Sequence, residues 1–292
     1  MSAAARARAF LRSASQETSK TETAKLFGCS RQALYGKGLM DLKDEELRER
    51  ILPVMDENPA YGYRRVAIDL REPKNKVQRV MAKFGLMARI QRKKRKGQQN
   101  QGPPRIVPSN LMSRLCPIVP NFMWAGDFTE FLLWRRRRIF LATVIDVFTR
   151  EIVGWNIGQH HTAGLVIEAL EDAFKRRGIA PCVFHSDQGS EYTSWECAFW
   201  IASHSVCPSW SPKGKPWVNG RKESFYSHFK LEIGDMGKVG SIPDFYEAVS
   251  RQIRYYNQKR IHSRLKMSPS QFFDKHKGRA SRSVLWDQSL LA

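Results

Sequence analysis

From residue 121 onward the chain alternates strand-like and helix-like patterns in an order that few folds accommodate. Residues 122–134 are apolar and aromatic around a single acid, Asp127. A charged turn at 135–138 leads to a second apolar run, 139–148, and Thr149-Arg150-Glu151 turns the chain into a third, 152–158. Three such runs joined by tight turns predict an antiparallel meander. Residues 163–177 then carry Leu165, Val166, Ala169, Leu170, Ala173 and Phe174 on one stripe, the pattern of an amphipathic helix. Short strands at 182–186 and about 206–210 flank a helix near 195–202. A loop at 211–216 precedes a last helix at 221–233. The order β-β-β-α-β-α-β-α predicts an α/β fold, a mixed five-stranded sheet with flanking helices. The crossover helix allows the fourth strand to lie parallel beside the first.

Two acids stand out against this pattern. Asp127 interrupts an apolar strand, and Asp187 ends another at His185-Ser186-Asp187-Gln188-Gly189. A carboxylate in apolar surroundings is costly unless it is paired or bound to metal. On neighbouring strands the two would meet at one end of the sheet. Glu223 follows Asp187 with 35 residues between them, on the last helix, where Ser227 and Lys230 share its face while Phe225 and Phe229 turn towards the sheet. Three oxygen donors without His or Cys suit a hard cation, Mg²⁺ or Mn²⁺, better than structural zinc. Two such ions about 4 Å apart clamp both oxygens of an in-line displacement at phosphorus. The catalytic and metal-binding candidates are therefore Asp127, Asp187 and Glu223; the bland alternative is three unrelated acids. Asp146 is either a rival ligand or a strand-end residue, and Glu191, past a glycine turn, reads as solvated or DNA-facing. His160 and His161 read as loop or substrate-edge residues. Arg260 and His262 either support the site or cap a C-terminal helix.

Charge narrows the partner. Lys and Arg total 49 against 28 acids, a net of +21, and residues 1–110 contribute +13 of it. A field of that size suits a phosphate backbone, although a basic protein of another kind would also carry it. Residues 21–35 read as two short helices around a turn at Gly28, with Ala24 at the crossing, Ser30 as a cap and Leu34 packing back. That spacing fits a helix-turn-helix whose Arg31 and Gln32 open the recognition helix. Further helices are expected at 44–55, from Tyr61 after the Pro59 break, and at 76–84, capped by Asn75 and closed by Gly85. They form either a structural bundle or a second DNA-reading unit in which Lys76 and Arg79 meet DNA. Residues 91–104, a basic block with Gly and Pro punctuation, read as a linker. Lys213, Arg221 and Lys230 are further phosphate-contact candidates, although each alone is more often a surface cation. No apolar run reaches the roughly 18 residues of a membrane span. The Ala/Arg-rich start lacks the apolar core of a secretory signal. Five cysteines (29, 116, 182, 197, 207) without a CxxC pair argue for reduced thiols in a cytoplasm.

The motifs also carry a family resemblance. Trp124-Ala-Gly-Asp127-Phe-Thr129, His185-Ser-Asp187-Gln-Gly189-Ser-Glu-Tyr192, Ser211-Pro-Lys-Gly214-Lys-Pro216-Trp-Val-Asn219 and Glu223-Ser-Phe225 resemble the integrase-like catalytic core, in particular bacterial insertion-sequence transposases of the IS-three family. Tyr256-Asn257 through Arg260-Ile-His262 to Leu265, with Ser268-Pro269, is similar to that family's C-terminal signature. Tyr61-Gly62-Tyr63-Arg64-Arg65 through Arg79-Val80-Met81 is similar to its N-terminal helical domain. The resemblance spans about residues 25–275. It implies an RNase H-like fold, a D-D-E triad binding two Mg²⁺ or Mn²⁺ ions, and cleavage and joining of DNA at terminal inverted repeats through a circular intermediate. Also implied are target DNA as a second substrate, homo-oligomers on DNA and a place in the cytoplasm at the bacterial nucleoid. Relatives are commonly fused by frameshifting to an upstream-frame helix-turn-helix protein. The expected layout is a helix-turn-helix region at 1–43, a second helical DNA-binding domain at 44–90, a basic linker at 91–118, the core with a C-terminal helix at 119–275, and a tail at 276–292. Two departures from the family, Val218 in place of an acid and a shortened stretch at 70–75, motivate the rival reading of an inactive DNA-binding remnant acting as a repressor. A metal nuclease that cuts without joining is a third reading.

Overall fold

A computed structural model of the chain describes residues 3, 6, 7, 10, 19–34, 39–89, 110–134, 137–211 and 220–279; for 33, 39, 113, 114, 220–224 and 279 the backbone alone is described. The core is a five-stranded sheet of β1 (Met123–Leu132), β2 (Arg138–Asp146), β3 (Ile152–Gly158), β4 (Val183–Ser186) and β5 (Cys207–Trp210), in the order β3-β2-β1-β4-β5. The meander pairs antiparallel, and β4 lies parallel to both β1 and β5. This is the mixed five-stranded sheet that the element order predicted, and the RNase H-like arrangement that the family resemblance implied.

Side-chain alternation sorts the two faces. In β2, Ala142 and Val144 join Trp124, Phe184 and the buried stripe of Ala163–Arg177, whose Leu165, Val166, Ala169, Leu170 and Ala173 match the expected helix face. Ile139, Leu141 and Ile145 point the other way, towards helices Gly220–Ile233 and Ile242–Gln258, where they meet Phe229, Phe245, Val249 and Ile253. Gly154 of β3 lets the 163–177 helix approach closely, since a Cβ there would fall 2.1 Å from the Ala169 carbonyl oxygen. The 242–258 helix was absent from the sequence-based element order. Its Ser241 cap and wide apolar stripe place it across the second face of the sheet, and Asn257 clips it to β3. The Asn257 amide donates to the Ile152 carbonyl (2.9 Å) and accepts from the Ile152 N–H (2.9 Å).

In chain order the helices are α1 (Lys20–Leu26), α2 (Leu39–Glu57), α3 (Tyr63–Asp69), α4 (Lys74–Lys83), α5 (Leu111–Arg114), α6 (Ala163–Arg177), α7 (Trp195–Ser203), α8 (Gly220–Ile233), α9 (Ile242–Gln258) and α10 (Pro269–His276). Helix α1 ends as expected at Gly28 (φ +62°), with Cys29 N–H bonded to the Ala24 carbonyl at 3.0 Å. The second helix expected there, capped by Ser30, is instead a 3₁₀ turn at Arg31–Leu34. Helices α2, α3 and α4 bury Leu47, Ile51, Tyr61, Val66, Val77, Val80 and Met81 in a core of their own. Asn75 is not the cap of α4; the cap is Pro73, and Asn75 lies inside the first turn. The short stretch 70–75 links helices α3 and α4. Arg71 takes the left-handed conformation (φ +54°), and Glu72 N–H bonds the Ala67 carbonyl at 2.9 Å, which completes a tight turn between α3 and α4. Among the described residues no helix is long and apolar enough to cross a membrane.

Candidate active site

Strand pairing brings the first two acids together. Met123, Trp124 and Ala125 pair with Val183, Phe184 and His185, a constant offset of 60 residues. Asp127 and Asp187 each lie two residues beyond the last of these pairs, Ala125 and His185, at the same end of strands about 4.8 Å apart. Trp124 faces α6, so Asp127, three residues further along β1, faces α8; Asp187 follows the end of β4. Both are half-buried, and each is oriented by a backbone amide: Phe128 N–H donates to Asp127 Oδ1 and Gly189 N–H to Asp187 Oδ1, both at 2.9 Å.

The residues around them fit tightly. A Cβ at Gly126 would lie 2.5 Å from Phe184 Cζ and 3.1 Å from Tyr192 Cε1, so only glycine admits those rings behind Asp127. His185 is fully buried and ties β4 to β5 through Ser209 Oγ (2.9 Å) and Ser211 Oγ (3.0 Å). Gln188 donates to the Ser211 carbonyl at 3.0 Å. Together these bonds hold the loop that carries Asp187. Glu191, expected in solvent, instead folds back: it is 7% exposed, with His161 Nε2 3.5 Å away, and a Cβ at Gly189 would meet its carboxylate. His161 packs on Phe128 with ring centroids 4.1 Å apart.

Helix α8 lies against β1 through two polar contacts. Tyr226 Oη donates to the Asp127 carbonyl at 2.8 Å and sits 2.7 Å from Thr143 Oγ1. One turn on, Lys230 Nζ donates to the Glu130 carbonyl at 2.5 Å, with its ammonium 5.0 Å above the Phe131 ring. Glu223 precedes Tyr226 by three residues and occupies the same helix face; its backbone is described and its side chain is not. Burial raises the Tyr192 and Tyr226 phenols well above their usual range, and the next contribution to both is the Asp127 charge, with Asp187 adding to each. Both phenols therefore feel both carboxylates and stay protonated donors. Among the described residues no group of three or more His, Cys, Asp or Glu is placed to hold a metal. The Asp127–Asp187 pair supplies hard oxygen donors on one face and fits a divalent cation of the magnesium type.

The remaining candidates separate. Asp146 is the last residue of β2, the strand-end role expected of it, fully buried with its carboxylate accepting from the Asn121, Phe148 and Thr149 amides at 2.6–2.9 Å; burial raises its carboxyl even so. Arg31 and Gln32 are exposed on their 3₁₀ turn. Arg79 forks onto Asp44 of α2 at 2.5 and 2.6 Å, joining α4 to α2, and Lys76 pairs with Glu72 in the turn before its own helix at 2.9 Å. Lys230 likewise serves as a clamp. Lys213 and Val218 lie outside the described residues, as does the side chain of Arg221. Arg260, 4% exposed, pairs with Glu232 at 2.7 Å, and His262 lies in the turn beyond it. Tyr226, Thr143 and Tyr192 were missed from sequence; the available signal was Tyr226, three residues after Glu223.

The fold and paired carboxylates define the integrase-core class of polynucleotidyl transferases. The family description "Integrase core domain" matches residues 119–216 and again 204–269, and "HTH-like domain" matches 42–94. The chain is 31% identical to the InsK protein of insertion sequence element IS150 from Escherichia coli (strain K12), over 77% of this chain and 81% of that one. It is 30% identical to the transposase for insertion sequence element IS904 from Lactococcus lactis, covering 80% and 94%. It is also 30% identical to a 31.7 kDa protein of insertion element IS407 from Burkholderia multivorans, covering 92% and 96%. A looser likeness, with a TM-score of 0.41 and 18% identity, is to the HTLV-2 integrase catalytic core domain, over 53% of this chain and 98% of that one. The chain belongs to the insertion-sequence transposases of the IS-three family.

Proposed function

We propose that this chain cuts DNA at the ends of an insertion sequence and joins the freed ends to target DNA, with Asp127, Asp187 and Glu223 holding two Mg²⁺ or Mn²⁺ ions. The observation that carries the reading is the parallel pairing of β1 with β4 up to Ala125 and His185, which supports bringing Asp127 and Asp187, each two residues further on, to one end of the sheet near α8. When bound, such ions lower the pKa of water and stabilise the departing oxygen. The chain's own contribution is positional. Backbone amides at Phe128 and Gly189 orient the two carboxylates, and Tyr226 and Lys230 fasten α8, the helix that carries position 223, along β1. In cleavage, water attacks phosphorus in line and the bond to the 3′ oxygen breaks, giving a 3′-hydroxyl and a 5′-phosphate. In joining, that hydroxyl attacks a target phosphate and displaces a second 3′ oxygen, so no protein–DNA bond is needed. The net charge of +21 supports DNA as partner, through terminal repeats and target alike. The family supports assembly as a homo-oligomer on DNA, an upstream-frame helix-turn-helix partner or fusion, and work at the bacterial nucleoid in the cytoplasm. Labelled inverted-repeat DNA incubated with Mg²⁺ tests this: joined products with the wild type, and none with Asp187→Asn, are expected. Binding without cleavage by the wild type would instead favour the repressor reading, and nicks without joining the nuclease reading.

A further inference from the structure

A cavity of about 110 Å³ opens beside Asp127, between the helix-turn-helix-like segment and the core. Its walls include Arg65 from α3, Arg150 from the β2–β3 turn, His228 from α8, and Arg260 and His262 from the chain after α9. Three arginines thus line one small space, of which Arg260 pairs through Nε with Glu232 at 2.7 and 2.8 Å. Among the described residues two buried side-chain polar atoms have no hydrogen-bond partner, Arg65 Nε and His262 Nδ1, and both residues line this one cavity. Buried polar atoms are rarely left unpaired; Arg65 Nε is a donor, and His262 Nδ1 is a second in the tautomer protonated there, so the two together suit an acceptor.

The cavity is composite, and the docking that builds it is specific. Ile261 N–H donates to Tyr61 Oη at 2.7 Å, and Tyr255 bonds Asn58, so the stretch after α9 is fastened to the segment that carries Arg65. Arg65 in turn stacks over the Tyr61 ring at 5.5 Å. The two ends of the family signature, Tyr61 to Arg65 and Tyr256 to His262, therefore meet here. Burial, then repulsion from Arg150, Arg260 and Arg65, holds the His262 imidazole down to about 4, and burial followed by Arg260 lowers the Arg65 guanidinium. Both shifts mark a site with surplus positive charge that an anion would relieve.

We propose that this cavity takes one backbone phosphate of the DNA strand being cut, with Arg65 and His262 donating to its oxygens and Arg150 and Arg260 supplying charge. The proposal rests on Asp127 marking the cleavage centre. It makes Arg65 a positioning residue that reports to the core whether the helix-turn-helix-like segment is docked. The test uses the full chain in EDTA with a duplex copied from the element's terminal repeat, in which single phosphates near the cleavage point are replaced by neutral methylphosphonates. Wild-type affinity is expected to drop about tenfold at one phosphate, as for loss of one charge-assisted contact. Arg65→Gln is expected to bind the unmodified duplex about tenfold more weakly, to lose about one unit of salt slope, and to be indifferent at that same phosphate. Arg65→Lys, which keeps the charge and the fold but not the planar fork, is expected to fall between. If Arg65→Gln folds and keeps wild-type affinity and salt slope, or if its methylphosphonate profile matches the wild type, the cavity holds only water and the proposal is overturned. Asp127→Asn separates the two readings: it is expected to bind as wild type in EDTA yet not cleave. Cleavage by that variant would sink the metal-site reading whatever Arg65 does.

Discussion

Replacing Tyr226 by Phe keeps the ring and removes one oxygen, and the structure fixes what that oxygen does. Tyr226 is 6% and Thr143 1% exposed, so neither bond is made in water. The phenol gives its proton to the Asp127 carbonyl at 2.8 Å, so the Thr143 hydroxyl gives its own to the phenol oxygen at 2.7 Å. The substitution leaves a buried hydroxyl without its acceptor and takes a donor from a strand carbonyl. Each bond is worth about 1 kcal/mol net, and a deserted buried polar group costs roughly 1–3 kcal/mol. A loss of about 2 kcal/mol is therefore expected from urea unfolding followed in the core, with an unchanged m-value. Thr143→Val removes the deserted hydroxyl at nearly constant volume, so the double variant should lose about 1 kcal/mol less than the two single losses added together. Since the same bond seats α8 beside Asp127, cleavage by Tyr226→Phe should slow roughly tenfold or more, with DNA binding unchanged. Additive stabilities together with wild-type cleavage would refute the view that this hydroxyl seats α8.

Three further outcomes follow from other contacts. Gly126→Ala puts a methyl 2.5 Å from Phe184 Cζ, and overpacking of that kind should cost about 1–3 kcal/mol in a thermal melt; an unchanged melt would mean the Phe184 ring yields freely. Asn257→Ala strips both partners from the Ile152 backbone and should cost about 2–3 kcal/mol, with amide exchange at Ile152 accelerated; unaltered protection there would contradict the role given to the clip. Asp44 is held well below the usual carboxylate range, first by Arg79 and then by Lys83. Its folded pKa lies under its unfolded one, so its stabilisation of the helical segment is full above the unfolded value of 3.8 and fades as pH falls below it. The melting difference between wild type and Asp44→Asn should shrink as pH drops below about 4, and a gap that stays constant would argue against the ion pair.

The core was legible because its signals are local and periodic. Short apolar runs bounded by turns named all five strands, and an acid inside such a run marked Asp127 before any partner was visible. Nothing local announces that Asp187 lies at the same end of the sheet; that follows from parallel pairing across a helical crossover. The helical segment was harder. Sequence reading placed one turn at Gly28 and a second helical DNA-binding domain at 44–90; the helix-turn-helix-like match falls on residues 42–94, where the α3–α4 turn puts Arg71 in the left-handed region without a glycine. Cations were the least legible. Arg79, Lys76 and Lys230 look alike in a sequence whether they face phosphate or a neighbouring helix, and here each holds a protein oxygen. The buried polar atoms without a partner near the site belong to Arg65 and His262, far apart in sequence and joined only when the two signature segments dock.

The central claim is that Asp127, Asp187 and Glu223 share divalent ions. Crystals of the full chain with terminal-repeat DNA, grown in Mn²⁺ and measured at the manganese absorption edge, test it most directly. Anomalous peaks between the Asp127 and Asp187 carboxylates, with Glu223 ligating at least one and both lost in Asp127→Asn, are the expected result. Manganese bound elsewhere, with those carboxylates empty beside an ordered DNA strand, would contradict it.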